Sequence, residues 1–405
     1  MLKTTLTGLL LLAAAIMPAA AADPDPENWD AVLSEAKGQT VYFHAWGGEP
    51  IINDYIAWAG REVEGRFGVS VVHVKVDDTA SVVSKVLTEK AAGRNEGGAV
   101  DLIWINGENF AAMKREGLLL TEAWATKLPN YRYVDVENKP SVAVDFTVPV
   151  DGLEAPWGMA KMIFFHDTAR LQDPPKSTEA LGEWIAANPG RFTYPQPPDF
   201  MGTSFLKQVL IDLTPDPAVL HSPATDETFG PATAPLFAWL DMTRDNLWRQ
   251  GRAYPQNTNA LRQLLADDEV AIAFAFNPAT ASNAIANNEL PDTVRSYVYE
   301  DGTLGNTHFL TVPFNAKAKA GGMVLANFLM SPEAQARKQD AAVWGDPTVL
   351  AMDKLPAEDR VRFESLDLGI ATLKPEELGP VLTEPHDSWV KRIEAEWARR
   401  YGAGQ

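Results

Sequence analysis

The chain contains no cysteine. Disulfides, thiolate metal sites, iron–sulfur clusters, cysteine nucleophiles and a cysteine-linked lipid anchor are excluded together. Positive charge is also scarce: 35 Lys and Arg face 54 Asp and Glu, for a formal charge of −19. That surplus is repelled by phosphate backbones and anionic lipid, which argues against a nucleic-acid partner. The six histidines (44, 73, 166, 221, 308 and 386) stand singly, without metal-ligand spacing. Neither a metal nor a cofactor is expected. Beyond the first residues, no stretch reaches the ~18 uninterrupted apolar residues of a membrane span.

Catalytic signatures are missing as well. There is no G-x-S-x-G elbow; the nearest run, Gly202-Thr203-Ser204-Phe205, lacks the second glycine. There is no H-E-x-x-H, no P-loop and no G-x-G-x-x-G. Asp23-Pro24-Asp25-Pro26-Glu27 loosely imitates a calcium loop, but Asn28 stands where glycine is required and no glutamate closes it. A carboxylate pair for glycoside hydrolysis needs no fixed spacing and stays open. An exported polysaccharide-active hydrolase is therefore the alternative to a binding protein.

What is present is an ordinary globular composition, 46% hydrophobic and 22% charged over 405 residues, enough for two or three domains. It begins with an export signal over residues 1–22. Lys3 is followed by the apolar run Leu6–Met17, then Pro18 and small residues with Ala20 and Ala22 in the A-x-A arrangement before Asp23. The expected location is the periplasm.

From there the pattern is α/β. Trp29, Val32, Leu33 and Ala36 recur at helical spacing. Val41–Trp46, Val69–Val76 and Ala99–Ile105 read as strands, with helices through Ile51–Val63 and Val82–Leu87 between them. Short connections of this kind imply parallel pairing and right-handed crossovers. The pattern restarts at Ala155: Met162–Phe165 reads as a strand, Leu181–Ile185 as a helix, Phe192–Tyr194 as a short strand and Phe205–Leu213 as a helix. Thr214–Pro235, rich in proline, reads as surface loop. Val270–Phe276 and Phe309–Val312 are further strands, and Trp389, Ile393 and Trp397 mark a C-terminal helix. Two α/β lobes suggest a cleft between them, at the carboxyl ends of strands.

Several residues sit where such a cleft would be lined. Trp46-Gly47-Gly48-Glu49-Pro50 follows the first strand, where glycines admit a ligand and a helix start offers free N–H groups; a tight turn with a core tryptophan reads equally well. Asn106 and Glu108 hold the same place on the third strand, and Asn109 reads also as a helix cap. Trp157 reads as an aromatic wall at the lobe crossing, or as packing. Asp199, beside Phe200, would meet a cationic group or cap its own helix. Asn277 ends a strand, and Asn306 and His308 open the return strand.

Four segments carry a resemblance: Phe43-His44-Ala45-Trp46-Gly47-Gly48, Asp101 to Phe110, Phe192 to Phe200, and Gly305-Asn306-Thr307-His308-Phe309. In this order they resemble the YnjB-type solute-binding proteins of ABC importers, over essentially the whole mature chain. The resemblance implies a two-lobed type II periplasmic binding-protein fold with a hinge of crossing strands. Lobe 1 would comprise 23–154 with 301–405, and lobe 2 would comprise 155–300. It also implies a monomer that hands a small solute to an inner-membrane permease and its ATPase, and leaves the solute open. No counterpart is evident for the paired tyrosines that hold iron in some relatives. Asp199 and Glu108 favour a solute with a cationic group, such as thiamine or a polyamine. A binding module that senses solutes for a receptor is a third reading.

Overall fold

The computed structural model describes residues 23–121, 123–374 and 377–402. The expected export signal lies outside the described residues. The strands, in chain order, are β1 (Thr40–Trp46), β2 (Ser70–Val76), β3 (Leu102–Ile105), β4 (Val144–Asp145), β5 (Val148–Pro149), β6 (Glu154–Lys161), β7 (Ile163–Asp167), β8 (Ile272–Ala275), β9 (Val294–Tyr297), β10 (Thr303–Thr311) and β11 (Val381–Leu382).

Val41, Phe43 and Ala45 of β1 are fully buried. The Pro50–Phe67 helix carries the chain from β1 to β2, and the Ala80–Ala91 helix from β2 to β3. Both β2 and β3 pair parallel to β1, the arrangement that strand–helix alternation predicts. Next in the sheet, β10 lies antiparallel to β3, and β6 antiparallel to β10 from Gly305↔Lys161 to Thr311↔Glu154, with an irregularity at His308/Phe309.

These last two strands join the halves of the molecule. Only Met162 separates β6 from β7, which starts a second sheet in the order β8-β7-β9. Lys161 N–H donates to Phe276 O at 3.0 Å and Met162 N–H to Leu304 O at 2.8 Å, so the crossing strands are stitched to both sheets. The architecture is the expected one: two α/β lobes with a hinge of crossing strands.

Three details differ from the expectations. Every pairing in the second sheet is antiparallel. Phe192–Tyr194 is extended but joins no ladder. Its neighbours supply isolated bonds, from Ala271 N–H to Arg191 O and from Trp248 N–H to Phe192 O, both 2.8 Å, before prolines 195, 197 and 198 remove further donors. The stretch read as surface loop contains a helix, Asp226–Thr243, with Pro231 and Pro235 inside it. Thr225 and Thr228 cap its start reciprocally, and burial of Leu236, Phe237, Trp239 and Leu240 offsets the two lost backbone bonds.

The C-terminal region divides between two cores. Residues of the Lys319–Leu329 and Pro332–Gln339 helices, and on to Phe363, pack with β1 and its helix. Trp389, Ile393, Trp397 and Tyr401, spaced by four, instead pack with Tyr194, Phe205 and Trp239. The C-terminal helix thus rests on the second lobe, although the expected division places 301–405 in the first. A spacing of four fixes a helix face but not the surface it meets.

Candidate functional site

The register His44↔Ile103 sets the carboxyl ends of β1 and β3 side by side. Trp46 ends β1 and is 37% exposed. Its ring lies on Gly48, where an added Cβ would stand 2.2 Å from a ring carbon, and Gly47 is pressed likewise by Lys75. The two glycines therefore make room for the protein's own side chains. Pro50 opens the next helix, and the Glu49 side chain does not cap it. Burial raises the Glu49 carboxyl above the usual range, with Arg262 of the second lobe opposing the shift and Glu289 adding to it. Arg262 is paired with Glu289 at 2.9 Å.

At the end of β3, Asn106 is half-buried and its side chain makes no hydrogen bond among the described residues. Gly107 adopts φ 61°, ψ −132°, a conformation open essentially to glycine alone. Its N–H donates to both carboxyl oxygens of Asp145, each at 2.8 Å, and a Cβ there would stand 2.6 Å from the Phe146 ring. Asp145 and Phe146 come from the short β4–β5 hairpin. Nothing in Val142-Ala143-Val144-Asp145-Phe146 signals this role, because the contact spans 38 residues.

Burial pushes the Asp145 carboxyl up to about 8, with Glu108 and Glu384 adding to the shift and the Gly107 N–H opposing it. Glu154, fully buried and without a hydrogen-bond partner among the described residues, is raised in the same way, with Asp145 adding. A carboxyl raised in the fold keeps its proton there while the unfolded chain loses it near 3.8. Between these values the folded state binds more protons, so stability falls as pH rises and levels off above about 8. Urea unfolding at pH 5, 7 and 9 should show Asp145→Asn gaining on the wild type at each step.

Across from these tips, Asp199 caps the Phe200–Leu213 helix, accepting from Met201 N–H at 2.9 Å and Gly202 N–H at 3.2 Å. Phe200 is 47% exposed and meets Phe276 edge-on at 5.4 Å between ring centres. One turn on, Thr203 donates to Glu394 at 2.7 Å. Burial raises Glu394, and Glu108 from the first lobe adds to that. Each lobe thus contributes a carboxylate here, Glu108 from the helix after β3 and Glu394 from the helix packed on the second lobe.

Trp157, Asn277 and His308, also singled out in the sequence, have partners within the protein. Trp157 is fully buried and forms no wall. Its ring meets Trp104 at 5.1 Å and Trp344 at 5.5 Å between centres, with Lys338 Nζ 3.8 Å from its own centre. Asn277 donates to Trp344 O at 2.9 Å and accepts from Ala279 N–H at 2.9 Å, tying the second lobe to the first. His308 lies against Trp104 and stands 3.4 Å from Asp346. Asn306 is buried, and neither of its amide atoms has a hydrogen-bond partner among the described residues. A groove of about 250 Å³ lined by Tyr42, His44, Lys85 and Asp101 opens at the other end of the strands. Asp101 there is committed to the N–H groups of Lys317 and Ala318 at 2.9 and 2.8 Å.

With this geometry in place, the comparison that decides the family is a match of residues 58–351 to the bacterial extracellular solute-binding proteins. The chain belongs to that family. Like other extracellular solute-binding proteins it is a binder and not an enzyme, which sets aside the hydrolase reading. Protein YnjB of Escherichia coli (strain K12) is 46% identical over 375 residues, 93% of this chain and 94% of that one. Among solved structures, the periplasmic binding protein AfuA from Actinobacillus pleuropneumoniae, with fructose-6-phosphate bound, matches with a TM-score of 0.62 at 13% identity, over 90% of this chain and 99% of that chain. The spermidine/putrescine ABC transporter substrate-binding protein PotD from Streptococcus pneumoniae matches with 0.59 at 14%, over 89% and 98%. At such identities the likeness establishes the fold alone, so the solute class has to come from the site.

Proposed function

We propose that the chain is the periplasmic capture subunit of an ABC importer, taking a small organic cation between its two lobes. The observation that carries this reading is the placement of carboxylates at the lobe tips: Glu108 opens the helix after β3 in the first lobe, and Glu394 accepts from Thr203 of the second at 2.7 Å, where burial and Glu108 both raise it. Carboxylates brought together in a partly desolvated space repel one another, and a bound cation relieves that cost. Trp46 and Phe200 add exposed aromatic faces at the lobe edges, the surfaces on which an organic cation rests.

Closure on such a solute would shift the open–closed population, and the closed form would dock on the permease that works with the ATPase. The protein would act as a monomer, exported by its N-terminal signal.

A thermal-shift series on solute-stripped protein tests the reading, since a ligand that binds the native state alone raises the melting temperature. At least one organic cation, from a set that includes thiamine and putrescine, should raise it, while fructose-6-phosphate and neutral sugars should not. Trp46→Ala and Asn106→Ala should melt within a few degrees of the wild type and lose about tenfold or more in affinity for the cation that scores. Stabilisation by a sugar phosphate and by no cation would refute the reading.

A further inference from the structure

One turn beyond Thr203 on the Phe200–Leu213 helix stands Lys207, whose side chain is 3% exposed. Its ammonium lies 2.6 Å from Glu384 Oε2, 5.1 Å from the centre of the Phe146 ring and 5.7 Å from that of Phe200. Phe146 belongs to the first lobe; the other groups belong to or pack on the second. Glu384 is buried, and its other oxygen has no hydrogen-bond partner among the described residues. Two aromatic faces and a desolvated carboxylate are the surroundings in which proteins hold an ammonium group. Here the ammonium held is the protein's own.

The same side chain acts on the solute site. Lys207 stands one turn from Thr203, which donates to Glu394 at 2.7 Å, and its ammonium lies 5.7 Å from the centre of the exposed Phe200 ring; Glu108 raises the Glu394 carboxyl, and Lys207 and Lys391 lower it.

We infer that Lys207 determines solute specificity: by filling one ammonium position of the gap it restricts the site to a solute with a single cationic centre. This rests on the cation reading above. A solute with a second ammonium would have to place it beside Lys207, where like charges repel in a medium that screens them poorly. Without the Lys207 charge, the cage of Phe146, Phe200 and Glu384 stands open to that second ammonium.

Calorimetry with n-butylammonium and 1,4-diaminobutane on wild type and Lys207→Met tests this. The wild type should bind the monoamine at least as well as the diamine. In Lys207→Met the ratio should move towards the diamine by about tenfold or more, the scale of one desolvated charged hydrogen bond. An unchanged ratio, or a wild type that already prefers the diamine, overturns the inference.

A second measurement is independent of the solute. Lys207→Ala should regain melting temperature in n-butylammonium and not in 1-butanol; should it not fold, refolding yield in the two additives gives the same readout. Equal rescue, or none, overturns the inference. Rescue in a protein whose wild type binds no organic cation would instead leave the cage standing and reject the cation reading.

Discussion

Lys338→Met is expected to destabilise the protein by about 3–5 kcal/mol, the usual cost of breaking a buried ion pair from one side. Lys338 Nζ is 2.5 Å from Asp346 Oδ2, and each side chain is 1% exposed. The ammonium also donates to Trp157 O at 2.9 Å and lies 3.8 and 4.1 Å from the ring centres of Trp157 and Trp344. Burial pulls Lys338 down to about 8 against the pull of Asp346, so it remains charged at neutral pH. For Asp346, Lys338 and His308 outweigh burial and hold the carboxyl below its usual range. The pair is ionised, and removing one member leaves the other desolvated and alone. Gly158 on β6 admits it, since a Cβ there would stand 1.9 Å from Asp346 and 2.0 Å from Lys338. Chemical denaturation should show the loss for Lys338→Met, while Lys338→Met with Asp346→Leu should recover a large part of it. Equal losses in the single and double variants would mean that packing around the three tryptophans, and not the uncompensated charge, sets the cost.

The second large effect is expected at Gly107→Ala. The left-handed φ with ψ near −132° strains any residue with a Cβ, at about 1–3 kcal/mol. The contact with Phe146 adds an overpacking cost of about 1–3 kcal/mol. Relief requires either turning the peptide away from Asp145 or pushing Phe146 off the strand tip. Both movements displace Asn106 and Glu108. Gly107→Ala should therefore lose solute affinity and about 2–6 kcal/mol of stability together. Phe146→Ala combined with Gly107→Ala should regain the steric part only. Unchanged affinity in a destabilised Gly107→Ala would separate the tip from the solute site.

Much of the frame is legible in the sequence, because it rests on local pattern. Strands β1 to β3 appear as apolar or alternating runs, β1 closed by Gly47-Gly48 and β3 by Asn106-Gly107, and the helices between them as apolar residues at three- and four-residue spacing. The tip residues Trp46, Asn106 and Phe200 follow from strand and helix ends. The charged groups are a different matter. Asp145 meets Gly107, Lys207 meets Glu384, and Lys338 meets Asp346 through tertiary approach, and no local spacing encodes those meetings. Trp157 misleads for a related reason: a tryptophan beside a glycine at a crossing fits a wall and a core equally, and Lys338 and Trp344, which decide for the core, lie far along the chain. At Asp199 the local alternative won, since a side chain before a helix finds its first N–H groups nearer than any ligand.

The measurement that bears most directly on capture of an organic cation between the lobes is the identification of what the protein carries. Wild type and the double variant Glu108→Gln, Glu394→Gln would be purified in parallel under native conditions and denatured, and the released small molecules identified by mass spectrometry. An organic cation in near-stoichiometric amount from the wild type and absent from the variant is the predicted result. A neutral or anionic solute released equally by both would contradict it.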